Sequence, residues 1–250
     1  LAFLNCTYTK FVDCEGNTVL EAKNISDTAV PSPVSLKFIN ISLYNVIDGI
    51  EYTKDGKKLV TWGTDVNIPN YVMPDGVTSI AGAGMHSNGN TKTFDISAEL
   101  KIGSNDGYFF NLYNLEKFTN SRGNTTLFLY DDALYHKADN GVISMVSYPK
   151  GKKSLSYTVA DGTAYLSGTT GTPAVRTFDA CNSLRAIDLG DDMIEMRYRS
   201  MRALTNLEVL KLASPQPPIA SSGTFESTAS ASHKRVLCVP SNLMEIYKKN

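Results

Sequence analysis

Two stretches of this chain repeat each other without a gap at a spacing of 23 residues, and that repeat restricts the fold more than any other feature. Phe178, Cys181, Leu184, Ile187 and Leu189 are followed 23 residues later by Met201, Leu204, Leu207, Leu210 and Leu212. So short a unit cannot bury its own apolar edge, and equivalent residues of successive units must stack into one shared interior. The alternation Ile187-x-Leu189 and Leu210-x-Leu212 predicts a short strand with one buried face in each unit. Stacking sets Leu184 against Leu207 and Ile187 against Leu210, at about 1.5–3 kcal/mol for each fully buried aliphatic side chain.

Phe109, Leu112, Leu115 and Phe118 spell the same pattern upstream. A longer duplication, offset by 86 residues, relates Tyr71 through Gly76 to Tyr157 through Gly162, Trp62 to Tyr148, and Ile80 to Leu166. Each half opens on a hairpin-like stretch, with Asp55-Gly56 in one and Asn140-Gly141 in the other supplying the positive φ of a tight turn. The expected fold is a β-rich repeat solenoid of short parallel strands, with β-hairpin insertions and few short helices.

The expected organisation has four parts. Residues 1–44 form an N-terminal β-rich cap, with a strand-like run over 35–43 after Pro31-Ser32-Pro33. Residues 45–120 hold the first hairpin and leucine-rich unit, and 121–214 the second hairpin with its units. Residues 215–250 form a C-terminal capping segment, in which Val236 to Pro240 reads as a strand and 242–249 as a short helix. Terminal units of a stack must cover an otherwise exposed core, so atypical ends are expected.

Lys+Arg 24 against Asp+Glu 25 leaves a net charge of -1, without the basic excess that attracts nucleic acid or an anionic membrane. No apolar run approaches the roughly 20 residues of a membrane helix, so membrane insertion of this chain is not expected. Leu1 to Leu4 is too short for a signal-peptide core, and Cys6 has Asn5 where a lipid-attachment signal wants Gly, Ala or Ser.

Catalytic or metal chemistry needs convergent partners. His86, His136 and His233 are scattered, and none has a second His or Cys at ligand spacing. Asp131-Asp132 and Asp191-Asp192 could suggest calcium or glycosidase chemistry, but neighbours in a strand point to opposite faces, which favours turn or capping roles. Gly82-Ala83-Gly84 echoes a phosphate loop without the helix that loop requires. No catalytic, metal or cofactor-binding residue is therefore assigned.

Of the 4 cysteines, Cys181 and Cys238 read as buried small hydrophobes, while Cys6 and Cys14 could form a disulfide on export. The many tyrosines, with Trp62, either pack across strands or present rigid contact surface. No ligand-binding residue is singled out.

The hairpins, the segment from Met73 to Ile80, the unit Phe178-x-x-Cys181-x-x-Leu184-x-x-Ile187, and the closing Val239-Pro240 with Tyr247-Lys248 resemble the BspA-like leucine-rich-repeat surface proteins of anaerobic bacteria. The resemblance covers about residues 45–250. It departs from the usual pattern at Ile80-Ala81-Gly82-Ala83-Gly84-Met85 and at Leu166-Ser167-Gly168. It implies a right-handed superhelix, a bacterial cell-surface or extracellular location, adhesion to host or bacterial proteins, and no cofactor. The expected function is thus non-enzymatic binding of a macromolecule, most simply a protein. The alternative is carbohydrate binding in a surface glycan-uptake system.

Overall fold

The computed structural model describes residues 8–12, 18–23, 44–62, 66–81, 89–102, 109, 112–168, 176–228 and 235–249. The backbone divides into two compact units, 1–43 and 44–250. In the first, β1 (Tyr8–Val12) and β2 (Thr18–Lys23) form an antiparallel pair with Tyr8 opposite Lys23. The run over 35–43, Cys6, Cys14, His86, His233 and Gly82 to Gly84 lie outside the described residues.

The second unit opens on an antiparallel meander, β3 (Tyr44–Ile47), β4 (Ile50–Thr53) and β5 (Lys58–Trp62). It is followed by β6 (Asn70–Val72), β7 (Ser79–Ile80), β8 (Thr93–Asp95) and β9 (Lys117–Thr119). A second meander, β10 (Leu127–Tyr130), β11 (Ala133–Lys137) and β12 (Ile143–Ser147), restarts the series. After it come β13 (Ser156–Thr158), β14 (Thr163–Leu166), β15 (Ala186–Asp188), β16 (Glu195–Met196), β17 (Val209–Lys211), β18 (Ile219–Ala220) and β19 (Val236–Cys238). Their sheets run β3-β4-β5-β7, β6-β8-β9, β10-β11-β12-β14-β16-β18 and β13-β15-β17-β19. Apart from the meanders, every one of these pairings is parallel. The chain is a strand-rich repeat solenoid.

A four-position ladder at spacing 3-3-3 underlies the coils, and it is wider than the leucine pattern. Trp62, Ile68 and Tyr71 occupy it in the earliest coil, Thr91 and Phe94 in the next, and Tyr148, Gly151, Ser154 and Tyr157 in the coil after the second meander. Thr91 is fully buried where other coils have Leu115, Leu184 or Leu207, because its hydroxyl donates to the Ile68 carbonyl at 2.9 Å. At the second position Gly151 replaces leucine because the Asn114 backbone passes so close that an added Cβ would lie 2.4 Å from its carbonyl carbon and oxygen.

Coils are tied together by a recurring bond two residues before each fourth position. The Pro69 carbonyl accepts from Lys92 and Thr93, Lys92 from Glu116 and Lys117, Leu155 from Arg185 and Ala186, and Arg185 from Glu208 and Val209. Register follows: Tyr157, Ile187, Leu210 and Leu237 lie side by side in one sheet, as Tyr71, Phe94 and Phe118 do in another.

The two meanders share their geometry, including a bulge after Glu51 in one and Leu134 in the other. Gly56 and Gly141 sit at φ 70° and 85° in the expected turns. The second meander is buried on both sides: Leu127, Leu134 and Val146 enter one core with Phe94, Phe109 and Phe118. Ala133, Tyr135 and Met145 enter a second core with Phe178, Leu184 and Leu207. Strand alternation converts one hairpin into a wall shared by two interiors.

Segment 215–250, expected as a cap, first supplies β18 and β19 as further rungs of both sheets. A 3-10 turn (Ser241–Leu243) and a short helix α1 (Met244–Lys248) follow, and neither has a buried residue. Cys181 is buried as expected, but Cys238 is exposed, which corrects its assignment as a core residue. Cys238 stands in the solvent row beside Lys211, and all three residues of β19, the outermost strand of its sheet, are exposed.

Candidate functional site

The parallel sheet β13-β15-β17-β19 presents two solvent rows built from equivalent repeat positions. One reads Ser156, Ala186, Val209 and Val236, the other Thr158, Asp188, Lys211 and Cys238. Opposite charges meet between adjacent coils: Lys211 lies 2.6 Å from Asp188, and Arg185 lies 3.1 Å from Glu208. The face extends over four coils, the form in which a repeat protein offers area to a macromolecule.

At one edge of this face is a cavity of about 260 Å³, lined by Asp161, Asp188, Asp191, Asp192 and Lys211 among others. Asp191 and Asp192 lie in the connection between β15 and β16, and Lys211 neutralises Asp188. Among the described residues no group of three or more His, Cys, Asp or Glu is arranged to hold a metal ion. Asp131 and Asp132 form the β10-β11 turn at φ 44° and 65°, the turn role expected of them. Both carboxylates bind Lys152 Nζ, at 2.6 and 2.9 Å. Burial pulls the Lys152 pKa down, and these two carboxylates outweigh it, leaving the ammonium above its ordinary value.

A second charged group lies deeper. Asp179 bridges Lys150 and Arg202, each at 2.9 Å, with Arg176 at 3.6 Å. Desolvation opposes ionisation of Asp179, but Lys150 and Arg202 overcome it and hold the carboxyl below the usual range. In the first half a different repeat position, Asp95, plays a similar part, bonded to Ser121 and Thr119 with Arg122 beside it. Arg122 also donates to the Ile96 carbonyl at 2.9 Å. These groups fasten one coil to the next.

His136 stands on β11 opposite Ser144 and Leu127, and burial lowers its pKa while Asp139 pulls the other way. The Cys181 thiol is pushed up to about 12 by burial, which removes it from thiolate chemistry at neutral pH. The aromatic residues go mostly inside: Tyr52, Trp62, Tyr71, Tyr135, Tyr148 and Tyr157 are buried. Trp62, Tyr71 and Phe94 pack as one cluster, and Tyr148, Tyr157 and Phe178 as its counterpart. Tyr113 and Tyr130 remain exposed, the first with Lys150 over its ring at 4.9 Å.

No family model matches the chain, and no curated protein matches it. Among solved structures it is similar to a leucine rich cell surface protein from Faecalibacterium prausnitzii A2-165, with TM-score 0.37 and 16% identity. That likeness covers 76% of this chain and 62% of the other. It is also similar to the pneumococcal vaccine antigen PcpA, with TM-score 0.38 and 13% identity over 83% of this chain and 45% of that one. The chain spans less than two thirds of either protein. Among the described residues, no helix is long and apolar enough to cross a membrane.

Proposed function

We propose that this chain is a non-enzymatic, BspA-like binding module that acts at a bacterial surface or outside the cell and holds a protein partner, as an adhesin does. The observation that carries the reading is the solvent face of the sheet β13-β15-β17-β19, with its small apolar row flanked by a charged one. Small side chains let a partner approach closely over several coils, and the alternating charges of Arg185, Glu208, Asp188 and Lys211 set its register.

The test immobilises the chain and exposes it in parallel to surface-protein extracts of bacterial and host cells and to a glycan array. Saturable protein binding that Val209→Glu abolishes, with no change in thermal midpoint, is the expected result. Binding to glycans alone, undisturbed by Val209→Glu, would replace this reading with carbohydrate capture.

A further inference from the structure

Among the described residues, the parallel sheets β6-β8-β9 and β13-β15-β17-β19 end on strands whose outer edges are treated differently. The first parallel sheet ends at β9, whose middle residue Phe118 is 1% exposed. Lys117 donates back to the preceding coil and the Thr119 carbonyl accepts from Ile96, so the Phe118 N–H points outward. The carbonyl of Asp132, in the turn of the second meander, meets it at 3.0 Å. Leu134 and Val146 of that meander complete the cover.

The second parallel sheet ends at β19 in the same manner. Val236 donates back to Glu208, the Cys238 carbonyl accepts from Leu212, and the Leu237 N–H points outward. Among the described residues nothing meets it, and Leu237 is 52% exposed although it stands in the core row of Tyr157, Ile187 and Leu210. An apolar strand edge in this state is a template for strand or hairpin docking.

We propose that this edge docks the first meander of a second copy of the chain, head to tail. The interface between the two halves is the template. In the first meander Gly49 stands where the second has Asp132, Val46 where it has Leu129, and Val60 where it has Val146. Val46 is 58% exposed. The Gly49 carbonyl of one copy takes the Leu237 N–H of the other, as Asp132 takes that of Phe118. Glu51 replaces Leu134 in the docking face, and with Asp48 it supplies negative charge opposite Arg235, which adjoins β19; Lys248 is already paired with Glu245 at 2.9 Å. The contact joins two different surfaces, so it propagates rather than closes on itself as a symmetric pair would.

Sedimentation velocity of the 250-residue chain over a wide concentration range tests this, with the expected average mass rising above the 27.3 kDa monomer. Val46→Glu blocks one surface and Leu237→Glu the other, so each variant alone stays at monomer mass. Mixed, they leave one intact pair of surfaces and form a species of twice the monomer mass and nothing larger, a result that misfolded variants would not give. Wild type remaining monomeric at every concentration overturns the proposal, as does a mixture of folded variants that fails to pair. Dispersal by Leu237→Glu with Val46→Glu still assembling assigns the edge to a tail-to-tail contact and overturns it equally.

Discussion

The hydroxyls of Tyr135 and Tyr157 lie 2.7 Å apart inside the second core, and those of Tyr52 and Tyr71 lie 2.7 Å apart inside the first. In each half the bond joins a meander to the first coil it covers. In the second half the chain of donors is complete: Ala160 N–H donates to Tyr135, and Tyr157 donates to the Tyr130 carbonyl at 3.2 Å, so Tyr135 donates to Tyr157. Burial pushes the Tyr52 pKa up to about 12 and raises those of Tyr71, Tyr135 and Tyr157, so all four hydroxyls stay protonated.

Tyr157→Phe strands the Tyr135 hydroxyl and the Tyr130 carbonyl, and it is expected to cost roughly 1–3 kcal/mol in urea denaturation. The double variant with Tyr135→Phe should lose less than the two single losses combined, because the bond can be removed only once. Additive losses would show that the hydroxyls act independently.

Leu207 is buried at the third ladder position, and Glu208 beside it reaches solvent and Arg185. Leu207→Ala is therefore expected to cost about 2–5 kcal/mol and Glu208→Ala less than about 0.5. Equal losses in urea would mean that the coils do not share an interior.

How far the fold was legible in the sequence depends on what occupies the ladder. Where Phe, Cys, Leu, Ile and Met fill it, as from Phe178 to Leu212, the repeat is visible as apolar spacing. Where Thr91, Gly151 and Ser154 take its positions the coil vanishes from an apolar search, since hydrogen bonding and close backbone approach stand in for side-chain volume. The strands β3 and β10 were missed because their turns, Asp48-Gly49 and Asp131-Asp132, flank runs too short to show alternation. The solvent rows were legible only in part: the 23-residue repeat aligns Ala186 with Val209 and Asp188 with Lys211, but Val236 and Cys238 join them only through coil register, because β19 follows outside that spacing.

Asp179 ties stability to pH. Its folded pKa lies below the ordinary carboxyl value, so its contribution is present above about pH 4 and lost as pH falls through the folded value. Asp179→Asn leaves the nearly buried Lys150 without its counter-charge, at an expected cost of about 3–5 kcal/mol at neutral pH. The gap between wild type and variant should close on acidification. A gap that stays constant from neutral pH to pH 2 would remove the ion pair as its cause.

Gly151 and Gly56 separate two reasons for glycine. Gly56 has positive φ and open space around it, so Gly56→Ala should cost only about 1 kcal/mol. Gly151→Ala drives a methyl into the Asn114 backbone and should cost at least about 1–3 kcal/mol, with the coil displaced. Thermal denaturation ranking the two the other way would place Asn114 farther from Gly151.

The described cysteines report on the stack without any substitution. At pH 8 a thiol with a pKa near that of Cys181, about 12, is ionised on the order of once in ten thousand molecules, and no reagent reaches its site between Tyr148 and Phe178 while the coils are closed. Cys238 is open to solvent on the last strand. Brief iodoacetamide treatment followed by peptide mapping should therefore label Cys238 in the native chain, and label Cys181 only in urea. Comparable labelling of both in the absence of urea would mean that the second core opens locally around Phe178, which the continuous ladder from Tyr148 to Leu210 does not allow.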